Sequence, residues 1–87
     1  MVSAEVLVTN PTGLHARPAS EFTRCAAKFQ SKVTVCKVGG QPVNAKSMIM
    51  VLSQSIVKDT RITITAVGED EKEAVEALVE FVNNVTE

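Results

Sequence analysis

The apolar spacing at the C-terminal end of the chain constrains its fold most. Ala74, Val75, Leu78, Val79, Val82 and Val85 recur at intervals of three and four, while Glu73, Glu76 and Glu80 take the other side. That spacing predicts an amphipathic helix, and a helix with one apolar stripe needs a second layer to cover it. Glu69, Asp70 and Glu71 gather at its start, where negative charge is favourable against the positive end of the helix dipole.

Segments upstream have the period of strands. Val2, Ala4, Val6 and Val8 alternate with Ser3, Glu5, Leu7 and Thr9, and Ile62, Ile64 and Ala66 alternate with Arg61, Thr63 and Thr65. Val33–Val38 is rich in β-branched residues, and Gly39-Gly40 predicts a hairpin into a short strand around Gln41–Asn44. Pro42 marks that strand as short or at an edge. Two further helices are predicted. One runs from about Ala16 to Lys28, with Ala19, Phe22, Ala26 and Phe29 toward a core and Pro18 in its first turn. The other runs from Ser47, a good N-cap type, to about Gln54. The order is βαββαβα, an α+β fold with helices packed on one face of an antiparallel sheet.

Length and composition narrow the function classes. The 87 residues make one domain, 1–87, and 45% apolar content supports a globular core. The segment MVSAEVLVTN has neither the basic start nor the apolar run of a signal peptide, and no stretch approaches the length of a bilayer span. A net charge of -1 and the absence of Trp and Tyr argue against nucleic-acid binding. Cys25 and Cys36 lack CxxC spacing and read as two lone thiols of a reducing compartment, although one disulfide stays open. The expectation is a cytoplasmic protein that meets protein partners, with no membrane insertion.

The chemistry lies in Gly13-Leu14-His15-Ala16-Arg17-Pro18-Ala19, where the turn Asn10-Pro11-Thr12-Gly13 becomes a helix. The first amides of a helix have no partner one turn back, and with the dipole they make an anion site. His15 falls at the N-cap beside them, and Arg17 can bring a guanidinium fork to the same anion. Gly13 permits the positive-φ approach that presents the ring. Neutral imidazole is nucleophilic near pH 7, so a phosphoryl group could be held there and passed on. Spacing alone leaves two readings open, a phosphate site and an ordinary surface pair. No second His, no Ser–His–Asp set and no carboxylate pair accompanies His15, which argues against a self-sufficient hydrolase. Ser47, read alone, is an ordinary helix cap.

GLHARPA, together with Val43-Asn44-Ala45-Lys46-Ser47 and Gly68-Glu69-Asp70-Glu71, resembles the HPr family. These are the histidine phosphocarriers of the bacterial phosphoenolpyruvate-dependent sugar phosphotransferase system. The resemblance covers essentially the entire chain. It implies an open-faced β-sandwich, a four-stranded antiparallel sheet with three helices on one face. It implies that the protein is not an enzyme but a stoichiometric carrier with no cofactor and no metal, expected as a monomer. His15 would accept phosphate on Nδ1 from phosphorylated enzyme I and donate it to IIA domains of sugar permeases, with Arg17 neutralising the charge. Ser47 would be a regulatory phosphorylation site for an ATP-dependent serine kinase and its phosphatase, with a catabolite-control transcription regulator as a further partner. Ser20, Arg24, Met48, Ile49 and Leu52 match the family's docking surface, whereas Val51 reads as core.

Departures from the family pattern bear on the second helix. The Gly39-Gly40 region holds one extra residue, Met50 stands where Gram-positive members often have Gly, and Ser55 stands where a helix-ending Gly is common. Two other roles stay open at this point: a regulatory interaction protein acting through Ser47, and a carrier in a nitrogen-linked relay. Retention of His15 and Arg17 favours a carrier over a purely regulatory protein.

Overall fold

The computed structural model describes residues 1–86. Its elements are β1 (Val2–Leu7), α1 (Ala16–Ala27), β2 (Lys32–Lys37), β3 (Val43–Asn44), α2 (Met48–Ser53), β4 (Arg61–Val67) and α3 (Glu71–Asn84). The strands form one four-stranded antiparallel sheet in the order β1-β4-β2-β3. All three helices lie on one face, α3 across β1 and β4, with α1 between α3 and α2. This is the βαββαβα order that the periodicities predict and the open-faced sandwich that the resemblance implies.

The alternation in the strands sorts side chains between the two faces. Ile62, Ile64 and Ala66 point to the helices and are fully buried, as are Val33 and Val35 opposite Ala66 and Ile64. They meet Phe22 and Ala26 of α1 and Ala74, Leu78 and Val82 of α3 in a single core. Burying a side chain of this size contributes about 1.5–3 kcal/mol, so this layer contact dominates the stability. Phe22 and Phe81 tie α1 to α3, with ring centroids 6.1 Å apart.

Differences from the predicted boundaries have local causes. β3 is only Val43–Asn44, because Gly40 N–H closes a turn on the Lys37 carbonyl and Gln41-Pro42 complete the loop. β1 stops at Leu7, though Val8 still donates to the Thr60 carbonyl at 2.9 Å. α3 ends at Asn84, leaving Val85 as its half-buried cap. Asp70 is the N-cap of α3, but its side chain makes no capping bond. Its carboxylate turns outward and accepts from the Gln30 and Ser31 amides, both at 2.9 Å, and from the Ser31 hydroxyl. Cys25 is half-buried, Cys36 is buried, and both are free thiols.

Candidate functional site

The His15 segment is held from both sides. Asn10, buried under the turn, donates from Nδ2 to the Gly13 carbonyl at 2.9 Å, while Gly13 N–H donates to the Asn10 carbonyl at 3.1 Å. Gly13 has φ +67, and a Cβ there would lie 2.3 Å from the Ile56 carbonyl oxygen and 2.7 Å from Val57 Cα. Only glycine fits this approach. Leu14 then plugs the core, fully buried, and its N–H donates to the Ile56 carbonyl at 2.9 Å. On the far side Pro18 and Ala19 are buried. Between these anchors His15 is half-buried.

His15 is the N-cap of α1, with extended backbone (φ -132, ψ 161), and its side chain accepts no hydrogen bond from the first-turn amides. The imidazole is therefore not occupied in capping, and those amides keep their capacity for an anion. The first turn contains no acidic residue to compete for it. Pro18, at the third helical position, contributes no N–H that would need a partner. Arg17 is exposed one position into the helix, and Ala16 before it has φ +53. The left-handed conformation costs a residue with a Cβ about 1–2 kcal/mol, and this cost falls on the backbone bond next to the histidine.

α2 packs beside α1. Asn44 builds the entry to α2: its side-chain oxygen accepts from Lys46 N–H at 2.9 Å and its carbonyl from Ser47 N–H at 3.2 Å. Lys46 Nζ donates to the Phe29 carbonyl at 2.7 Å, fastening this entry to the end of α1. Ser47 caps α2 and its Oγ accepts from Met50 N–H at 3.4 Å. Met48 and Ile49 are exposed and Leu52 is half-buried, whereas Val51 is fully buried and fixes the helix to the core. On α1, Arg24 is exposed and Ser20 half-buried.

Two contributions to this surface escape sequence reasoning. Met50 and Val57 are also exposed, and the backbone of Val57 lies against Gly13. Ser55 has φ +52, the left-handed conformation that explains the usual glycine at this place. Among the described residues no helix is long and apolar enough to cross a membrane.

A half-buried histidine thus stands at a helix N-terminus without a capping bond, two residues before an exposed arginine, on a small open-faced α+β sandwich. The PTS HPr family model, described as the PTS HPr component phosphorylation site, matches residues 2–84. The chain is 41% identical over 78 residues to the phosphocarrier protein HPr of Buchnera aphidicola, covering 90% of this chain and 91% of that one. It is 44% identical over 82 residues to the HPr-like protein Crh of Bacillus subtilis, covering 94% and 95%. The crystal structure of HPr-C-His from Thermoanaerobacter tengcongensis superposes with a TM-score of 0.91 at 38% identity, covering 95% of this chain and 92% of that one. The chain belongs to the HPr family of the phosphotransferase system.

Proposed function

We propose that His15 is the residue that accepts the phosphoryl group from phosphorylated enzyme I and donates it to IIA domains of sugar permeases. A ring nitrogen, Nδ1, forms the new bond to phosphorus as the bond to the donor breaks, and the reverse occurs on delivery. Arg17 and the first-turn amides balance the charge of the bound phosphoryl group, which makes the transfer a matter of positioning and electrostatics. The observation that carries this reading is the N-cap geometry of His15, extended and without a capping bond. Incubation with phosphoenolpyruvate and enzyme I should give acid-labile phosphate on the protein. His15→Ala should abolish it and Arg17→Ala should slow it; undiminished labelling of His15→Ala would remove the residue from this role.

Ser47 is proposed as a regulatory phosphorylation site served by an ATP-dependent serine kinase and its phosphatase. Its hydroxyl lies at the entry to α2 beside exposed Met48 and Ile49. A dianion at a helix start is compatible with the fold, so its effect falls on the docking surface of Ser20, Arg24, Met48, Ile49 and Leu52. A catabolite-control transcription regulator is the further partner that this reading implies. With ATP and the kinase, acid-stable phosphate should form and be absent from Ser47→Ala. We take the carrier to be a monomeric single domain of the cytoplasm, since successive partners need the same face.

A further inference from the structure

The peptide plane between Gly13 and Leu14 is one residue removed from His15, and both of its polar groups are fastened. The Gly13 carbonyl accepts from Asn10 Nδ2 at 2.9 Å, and on the opposite side of the plane the Leu14 N–H donates to the Ile56 carbonyl at 2.9 Å. Together the two bonds fix the rotation of the plane. Asn10 holds Gly13 a second time through its own carbonyl, which accepts the Gly13 N–H at 3.1 Å. One residue thus takes both main-chain polar groups of Gly13.

The Asn10 side chain is buried, and so is its bond to Gly13, so the carbonyl would lose its partner in a place shielded from solvent if the amide were removed. Thr12 Oγ1 also reaches this carbonyl, but at 3.5 Å, at the limit of a hydrogen bond. The need for a clamp comes from Gly13 itself. Glycine is required there by the close approach to Ile56 and Val57, and glycine also restrains the adjoining peptide plane least. Beyond the plane, Ala16 keeps φ +53, and a left-handed residue with a Cβ persists only where its surroundings over-determine it.

We propose that Asn10 is a positioning residue for phosphoryl transfer: its side-chain amide locks the Gly13–Leu14 plane and so sets where the His15 ring stands against Arg17 and the first-turn amides. The inference rests on the reading of His15 as the phosphoryl acceptor. Asn10 acts through the main chain, and Ser20, Arg24, Met48, Ile49 and Leu52 make none of the bonds of the clamp. Recognition of the partner therefore does not depend on it.

The test is single-turnover transfer from phosphorylated enzyme I, at a temperature where far-UV circular dichroism shows every variant folded. Asn10→Ala removes the donor, and Asn10→Asp keeps the shape of the side chain but turns a carboxylate oxygen toward the carbonyl. In both, the rate at saturating carrier should fall by roughly tenfold or more, with the half-saturating concentration unchanged, because the ring is displaced and the docking surface is not. The amide and ring resonances of His15 should shift in NMR spectra of both variants. Val82→Ala, which opens a cavity in the core under α3, should lower Tm without slowing transfer. A wild-type rate in folded Asn10→Ala or in Asn10→Asp, or an equal loss of rate in Val82→Ala, would overturn the proposal. If His15→Ala is labelled as well as wild type, the carrier reading fails and this inference with it. If His15→Ala is inert while the Asn10 variants transfer normally, this inference alone fails.

Discussion

Replacing Gly13 by alanine tests whether the histidine is aimed by close backbone packing. Two costs can be separated at this position. The left-handed φ of +67 disfavours any residue with a Cβ by about 1–2 kcal/mol, partly offset by about 0.4–1 kcal/mol from a stiffer unfolded chain. A Cβ placed 2.3 Å from the Ile56 oxygen must also push backbone apart, which adds about 1–3 kcal/mol. Gly39 provides the control, because it has φ +87 with nothing within 4 Å of an added Cβ. Gly39→Ala should therefore lose about 0.5–1 kcal/mol and Gly13→Ala about 2–4 kcal/mol. At about 4–8 °C per kcal/mol, the second loss lowers Tm by at least about 8 °C. The chain has no Trp or Tyr, so urea and thermal unfolding are best followed by far-UV circular dichroism. The rate of phosphoryl acceptance should fall in Gly13→Ala and stay unchanged in Gly39→Ala. Equal losses of stability in the two variants would refute the steric account.

Ser55→Gly should raise stability by about 0.5–1 kcal/mol, because Ser55 is held at φ +52 and its side chain is exposed; Ser55→Ala should show no such gain in the same melts. Phe22→Ala should cost about 3–5 kcal/mol in urea unfolding, since the ring is fully buried against Phe81. Acid should destabilise the protein through Asp70 and Glu71. The Ser31 hydroxyl, with the amides of Gln30 and Ser31, holds the Asp70 carboxyl below its ordinary range, and the Gly68 amide and the N-terminal amine do the same for Glu71. The unfolded chain thus takes up protons first. The stability these groups lend is complete above their unfolded values near pH 4, and it is lost as pH falls through the folded ones. Urea midpoints measured from neutral pH downward should show this loss, and Asp70→Asn should flatten it.

How much of this was legible in the sequence depends on whether a residue's type reports its own environment. Arg61–Val67 alternates cleanly and forms β4 over that span, because a sheet covered on one face imposes a period of two. The position of His15 at a helix start follows from local chemistry: turn residues before it, Pro18 after it, and an apolar spacing that begins at Ala19. Ala16 carries no such signal. Alanine favours a right-handed helix, and its φ of +53 is set by the turn and the buried Leu14 on one side and the helix on the other. Asp70 is legible only in part, since an acidic residue at a helix start already has a sufficient local explanation. Its actual partners, Gln30 and Ser31, are some forty residues away in sequence. The family resemblance supplied the proposed docking residues on α2 but not the exposed Val57, whose backbone packs against Gly13.

The strand order has a consequence for the timing of synthesis. β1 pairs only with β4, which lies some sixty residues later in the chain. At about 5–20 residues per second, a ribosome needs about 3–12 s to make β4 after β1 has been translated. During that interval the first strand has no partner, and α1 has no completed sheet beneath it. The pairing of β1 with β4 therefore waits until most of the domain has been synthesised, and it closes a contact between parts of the chain distant in sequence, the kind of contact that slows folding.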